Sequence, residues 1–211
     1  ASGCTDSASV SIVVTDMVSP TVLTQNITVY LDANGQASIT AQDVDNGSSD
    51  NCSIDTLTLD VSTFSCADAG SNTVTLTGLD VNGNSSSSSA TVTVLDTISP
   101  LVLTQNITVY LDGNGQASIT AQDVDNGSSD NCSIDTLTLD VSTFSCADTG
   151  SNTVTLTGLD VSGNSSSSSA TVTVLDTISP LVLTQNITVY LDGNGQASIT
   201  AQDVDNGSSD N

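Results

Sequence analysis

Along residues 26–32, Asn-Ile-Thr-Val-Tyr-Leu-Asp, apolar and polar positions alternate: Ile27, Val29 and Leu31 point one way, Thr28 and Tyr30 the other. A period of two belongs to a strand with one buried face. The same alternation runs through Ala37 and Ile39, through Leu57, Leu59 and Val61, through Val74 and Leu76, and through Ala90, Val92 and Val94. Turn signals separate these stretches: Asn34-Gly35, Asn46-Gly47, Ala69-Gly70, and Asn82-Gly83-Asn84 followed by five serines. No helical period is present. Six or seven short strands in about 80 residues predict an all-β unit, an antiparallel β-sandwich of immunoglobulin-like type.

The pattern then recurs. VLTQNITVYLD occurs at 22–32, 102–112 and 182–192, a period of 80 residues. Residues 17–96 and 97–176 differ only at positions 17, 18, 21, 33, 69 and 82 of the first copy, and 177–211 repeat 97–131 without change. The expected organisation is therefore a first repeat at 17–96, a second at 97–176, and the N-terminal part of a third at 177–211. Residues 1–16, ASGCTDSASVSIVVTD, read as the C-terminal end of a different preceding β-repeat. Such near-identity points to recent duplication. The third DNGSSDN stops one residue short of the cysteine that follows it in the other copies, so the sequence reads as an internal piece of a longer protein. Pro20, Pro100 and Pro180 stand where one repeat leads into the next, and Leu95-Asp96 reaches Pro100 within a few residues. Short links of this kind predict tandem domains arranged end to end with limited bending.

Composition narrows the function. The chain has 24 acidic residues, all Asp, with no Lys, Arg or His, and a net charge of -24. Nothing in it can neutralise phosphate, which argues against nucleic acid and against direct membrane contact. Without His or Lys there is no base for a Ser or Cys nucleophile and no imidazole for zinc, so no enzyme is expected. No apolar run approaches the roughly 18–20 residues of a membrane-spanning helix. Five aromatic residues and no Trp leave little for a stacked sugar-binding face.

Two chemistries remain. Cys52 and Cys66 lie 14 residues apart, as do Cys132 and Cys146. A sandwich of this size buries a modest core, and closing a loop of about 15 residues contributes on the order of 3 kcal/mol. Disulfides Cys52–Cys66 and Cys132–Cys146 are therefore expected, which implies an oxidising, extracellular location and would discourage strand exchange between near-identical neighbours. The alternative, a thiolate metal site or reactive cysteine, lacks any His or positive neighbour. Cys4 is left over, with its partner expected upstream. The carboxylates before each cysteine suggest the second chemistry. Asp43, Asp45, Asp50 and Asp80, with Asp123, Asp125, Asp130 and Asp160 in the second copy, are hard oxygen donors suited to calcium. Their spacing is not that of an EF-hand, and the competing reading is turn formation through local hydrogen bonds. No cofactor is required otherwise. Asn26-Ile27-Thr28 and Asn84-Ser85-Ser86 fit the N-glycosylation triplet, which arises by chance in such sequence. The Thr-x-Thr runs, Thr56/Thr58 and Thr73/Thr75/Thr77, read as solvated strand faces rather than a flat ice-binding array.

The order of NITV, a DNC loop, a second cysteine, and GSNTVTLTGLDVNGNSSSSSATVTV resembles the hyalin-type repeat, over nearly all of 17–211. That resemblance implies an immunoglobulin-like extracellular module serving in adhesion, with its two cysteines mapped onto Cys52 with Cys66 and Cys132 with Cys146. The wording VLTQNITVYLDANGQASIT is similar to tandem repeats of very large surface adhesins from gliding bacteria with a type IX secretion system, and SGCTDSASVSIVV resembles the end of short repeats in gliding-motility adhesins. Those bacteria O-glycosylate exported proteins at Asp-Ser/Thr followed by an apolar residue, which would mark Ser7, Thr56, Thr97, Thr136 and Thr177. The expected role is a structural stalk segment of a cell-surface adhesin. Its partners would be neighbouring repeats of the same chain, with lateral self-association open, and surface glycans or proteins held by other regions. The alternatives are a module contacting glycan or protein through its Asp-rich loops, and a spacer of a secreted enzyme.

Overall fold

The computed structural model describes residues 2–3 and 5–211; Cys4 lies outside them. The chain forms two compact units, Ala1–Ile98 and Ser99–Asn211. In the first, the elements are β1 (Ile27–Tyr30), β2 (Gln36–Ser38), a helical turn α1 (Ala41–Val44), β3 (Ile54–Leu59), β4 (Thr63–Ser65), a 3-10 turn at Cys66–Asp68, β5 (Gly70–Asp80) and β6 (Ser85–Leu95). They build a four-stranded sheet in the order β1-β6-β5-β3 and a two-stranded sheet, β2-β4. Between the sheets lie Leu31, Ile39, Val44, Phe64, Val74, Leu76, Ala90, Val92 and Val94, all buried. The alternating residues thus face inward as their period demands.

The second unit repeats this arrangement with β7 (Ile107–Tyr110), β8 (Gln116–Ser118), α2 (Ala121–Val124), β9 (Ile134–Leu139), β10 (Thr143–Ser145), β11 (Gly150–Asp160) and β12 (Ser165–Leu175). Its sheets run β7-β12-β11-β9 and β10-β8. Val102, Leu111, Ile119, Val124, Phe144 and Val154 contribute to one contiguous core. The third copy keeps the helical turn α3 (Ala201–Val204) and the bridges Leu181↔Ser209 and Thr184↔Asp205. Residues 187–190 pair with nothing among the described residues, because in a complete copy their partner is the last strand.

Several details depart from the expectation. The pairing β1–β6 is parallel, Ile27↔Val92 to Tyr30↔Leu95; the rest of the repeat lies between these strands and supplies the long crossover a parallel pair needs. The five serines belong to β6 rather than to the turn, with Ser85 opposite Leu79 and Ser89 opposite Thr75. A helical turn follows Thr40, whose hydroxyl and the Asp43 carboxylate form a capping box. Val61 is exposed, since the chain bends at Asp60, whose carboxylate accepts the N–H of Val61 and of Thr75. Val10, Ile12, Val13 and Val14 form no strand and stand exposed, because no described residue offers them a backbone partner.

The two long strands set the direction of the chain through the sandwich. β5 runs from Gly70 to Asp80 and β6 returns, so that Val94 lies opposite Gly70. The chain comes in beside the Asp80 end: Asn84 Nδ2 donates to the Asp16 carbonyl at 3.2 Å, and Ser86 Oγ donates to the Pro20 carbonyl. It leaves after Leu95, at the Gly70 end. Each complete repeat therefore receives and releases the chain at opposite ends.

Candidate functional site

At the end where the chain comes in, the loop before Cys52 and the turn after β5 meet. Asp80 is 2% exposed. Its Oδ1 accepts the N–H of Asn82 at 2.8 Å and of Asn84 at 2.7 Å, and its Oδ2 the side-chain amide of Asn84 at 2.8 Å. Burial pushes its ionisation upward, and these donors with the Gly83 N–H more than offset it, leaving the carboxyl below its usual range. Asp50 Oδ2 accepts the Cys52 N–H at 2.9 Å. Asp16 is held below the usual carboxylate range first by the Val18 N–H and then by the Cys52 thiol. The same contact with Asp16, followed by burial and by the charges of Asp16, Asp50 and Asp80, raises the Cys52 thiol. Carboxylate oxygens of Asp16, Asp50 and Asp80 all lie within 4.8 Å of one another. Asp16 Oδ2 and Asp50 Oδ1 are buried without a hydrogen-bond partner, and the chain has no basic residue to compensate them. In the second unit Asp130 and Asp160 carry ligand oxygens within 4.8 Å of each other, and Asp130 Oδ1 is likewise without a partner.

Of the expected calcium ligands, the structure brings together Asp50 with Asp80 and Asp130 with Asp160. It does not bring in Asp43, Asp45, Asp123 or Asp125. Asp43 Oδ2 accepts the Thr40 N–H and hydroxyl, and Asp123 does the same for Thr120. Asp45 and Asp125 accept the N–H and hydroxyl of Ser48 and Ser128. These four are turn-makers, as the competing reading had it. Asp16 was missed because it falls just outside the repeating unit; the signal was available one period later, where Asp96 stands.

The cysteines require a correction. Cys66 and Cys132 are each disulfide-bonded, while Cys52 and Cys146 are free thiols, so neither Cys52–Cys66 nor Cys132–Cys146 forms. The reason is the path between them. Cys52 sits beside the Asp80 end of β5, where Ile54 pairs with Asp80, whereas Cys66 stands four residues before Gly70 at the other end. At ~3.3 Å per residue the strand separates these ends by on the order of 30 Å. A disulfide needs its Cα atoms within ~7 Å. The 13 intervening residues are spent in β3 and β4, running the length of the sandwich, not in a closed loop. Disulfide bonding at Cys66 and Cys132 still fits an oxidising, extracytoplasmic setting.

Ser7, Thr56, Thr97, Thr136 and Thr177 are all exposed. Asn84 donates its amide to the Asp80 carboxylate and the Asp16 carbonyl, whereas Asn26 is exposed and accepts the Thr91 N–H through its Oδ1, a bond that does not engage its amide nitrogen. Each unit also carries an open groove along its two-stranded sheet. In the first, of about 670 Å³, it is lined by Asp32, Gln36, Phe64 and Asp68 among others. Phe64 turns its ring into the core at 4% exposure, which leaves no aromatic platform for a sugar.

No family model and no curated protein matches the chain. Among solved structures, protocadherin gamma B7 extracellular cadherin domains 1–4 is similar at TM-score 0.36 and 10% identity, covering 81% of this chain and 54% of that one. An endo-fucoidan hydrolase of glycoside hydrolase family 107 matches at TM-score 0.31 and 16% identity, over 76% of this chain and 29% of that one. Protocadherin gamma C5 EC1-3 matches at TM-score 0.38 and 12% identity, over 74% and 68%. The chain spans about half the length of the protocadherin B7 chain and less than a third of the hydrolase.

Proposed function

We propose that this chain is a structural, force-carrying segment of a repetitive extracellular adhesin, of the hyalin-type kind that serves surface adhesion in gliding bacteria, and that it catalyses no reaction. The parallel pairing of β1 with β6 carries the reading. The chain comes in at the Asp80 end, runs up beside β6, and leaves from the top of β6. Tension on the two ends slides these neighbours past each other and loads their hydrogen bonds together rather than one after another. The complete lack of Lys, Arg and His supports the non-enzymatic part, since neither a nucleophile's base nor an electrophilic cation is present.

The cluster at the incoming end fits a calcium ion. Two ligands of one ion at ~2.4 Å are at most ~4.8 Å apart, and oxygens of Asp16, Asp50 and Asp80 all lie within 4.8 Å of one another. These carboxylates, two of them with an unpartnered oxygen, would hold it, and the ion would neutralise charge where the incoming chain meets the sandwich.

Single-molecule pulling tests the mechanical reading. Loading through the chain ends should open each complete repeat in one event, at a higher force than loading between Ala69 and Asp96, which peels the β5–β6 hairpin from its open end. Equal forces in the two directions, or gradual extension without discrete events, would overturn it.

A further inference from the structure

An Asn-Gly pair can change its own covalent structure without an enzyme, because glycine has no Cβ to shield its amide nitrogen from the asparagine side chain before it. Such pairs begin at Asn34, Asn46, Asn82, Asn114, Asn126, Asn194 and Asn206, and the fold sorts them into two kinds. After Asn34, Asn82, Asn114 and Asn194 the glycine closes a tight turn. Its N–H donates to the carbonyl three residues back, at 2.9 Å from Gly35 to Asp32, 3.3 Å from Gly83 to Asp80, 2.9 Å from Gly115 to Asp112 and 3.0 Å from Gly195 to Asp192. That nitrogen is the nucleophile, and in these turns it is occupied. Asn46, Asn126 and Asn206 are different. All three are exposed, and the glycine N–H that follows each donates to no carbonyl among the described residues. Gly47 makes only a minor contact with the Asp45 carboxylate, behind the hydroxyl and N–H of Ser48. No hydrogen bond holds the Asn46 or Asn126 side-chain amide among the described residues. The space is open as well: a Cβ on Gly47, Gly127 or Gly207 would meet nothing within 4 Å.

We propose that Asn46, Asn126 and Asn206 are sites of self-modification, where the following glycine nitrogen converts asparagine to isoaspartate and aspartate while the asparagines of the tight turns persist. The glycine nitrogen bonds to the asparagine Cγ, the bond from Cγ to the side-chain nitrogen breaks, and that nitrogen leaves as ammonia with the proton the glycine gives up. A five-membered succinimide remains. Water opens it at either carbonyl: attack at the main-chain carbon leaves isoaspartate, and attack at Cγ restores the ordinary main chain as aspartate. Nothing is oxidised or reduced, and water is the only co-reactant. The place of the change matters to the fold. Asn46 N–H donates to the Leu23 carbonyl at 2.9 Å, and Ser48 Oγ accepts the Leu23 N–H at 3.0 Å, so this loop pins the leading segment of the repeat. Isoaspartate adds a methylene to the main chain between those two bonds and throws them out of step, and either product adds a negative charge beside Asp45. The conversion rests on local geometry and not on the mechanical reading; under that reading it loosens the segment through which tension enters.

Ageing the chain separates the two kinds. One sample is held folded in mildly alkaline buffer at physiological temperature and another in the same buffer with denaturant. Both are digested with pepsin in acid, since there is no Lys or Arg for trypsin. Conversion is read by mass spectrometry as an amide replaced by a carboxyl, and isoaspartate by its chromatographic separation from the aspartate form. In the folded sample, peptides holding Asn46, Asn126 and Asn206 should convert several-fold faster than those holding Asn34 or Asn82, up to about tenfold, which is what one net hydrogen bond is worth. In denaturant the two kinds should convert alike. Asn46→Gln, Asn126→Gln and Asn206→Gln together should abolish the fast phase of the folded chain. Equal rates in the folded sample, faster conversion in the tight turns, a preference that persists in denaturant, or a fast phase that survives the three substitutions would each overturn the assignment.

Discussion

Gly78 shows how a single missing atom fixes the fold. It lies in β5 opposite Ser86, and a Cβ there would meet Val22 Cγ2 at 2.8 Å and Leu57 Cδ2 at 3.3 Å. The leading segment of the repeat lies across it, held by Thr24 Oγ1 to the Ser89 carbonyl at 2.7 Å. A valine methyl cannot swing aside as a long side chain can, so Gly78→Ala should cost about 1–3 kcal/mol in a denaturant melt. Adding Val22→Ala should recover part of that loss, making the pair less damaging than the sum of the two; strict additivity would show that the contact is not what constrains position 78. Residue-level chemistry was only half legible beforehand. The fold brings Asp50 and Asp80 together, but a carboxylate two residues before a cysteine and another at the end of a strand look no different from Asp43 or Asp45 in sequence. What separates them is that Thr40 and Ser48 satisfy the latter pair locally, whereas Asp50 Oδ1 is left without a donor.

At the scale of elements, short turns held by carboxylates recur throughout. Asp43 caps α1, Asp32 and Asp60 close turns with backbone N–H donors, and Asp68 caps the 3-10 turn. For each, hydrogen bonds from the backbone lower the ionisation below its ordinary value, led by Thr40 for Asp43, Gln36 for Asp32, Thr75 for Asp60 and Ser65 for Asp68. A carboxyl that binds protons less readily folded than unfolded stabilises the fold fully above ~3.9, the ordinary Asp value, and loses that contribution as pH falls through its folded value. In the presence of a chelator, the melting temperature should therefore hold between about pH 7 and pH 5 and fall steeply below about pH 4; a profile flat down to pH 2 would refute these roles. Strands were the legible elements, because a period of two leaves a clear trace in Val74, Leu76, Ala90, Val92 and Val94. The helical turn was not, since four residues cannot show a 3.6-residue period, although Thr40 with Asp43 three positions on already spelled a capping box. The cysteine pairing was illegible for a related reason: spacing reports contour length, and whether that contour is coiled or extended is decided by β3 and β4.

For the molecule as a whole, -24 charges without a single cation make bound counter-ions part of its energetics. Calcium at millimolar concentration should raise the melting temperature over that in chelator, by an amount that grows with the logarithm of free calcium as linkage requires. Asp50→Asn combined with Asp130→Asn should remove most of that rise, while Asp43→Asn should leave it intact. An unshifted melting curve for the unsubstituted chain would exclude the site. Finally, the uniform run Ser85–Ser89 inside β6 has a consequence for how such genes can drift. Identical side chains cannot distinguish one pairing register from another two residues away, so alignment is set by the Asp80–Asn84 turn on one side and by Ala90, Val92 and Val94 on the other. An in-frame gain or loss of two serine codons keeps every later side chain on its own face, whereas a change of one turns Val92 and Val94 out to water and Thr91 and Thr93 inward. Variation in the length of this run should accordingly come in even steps.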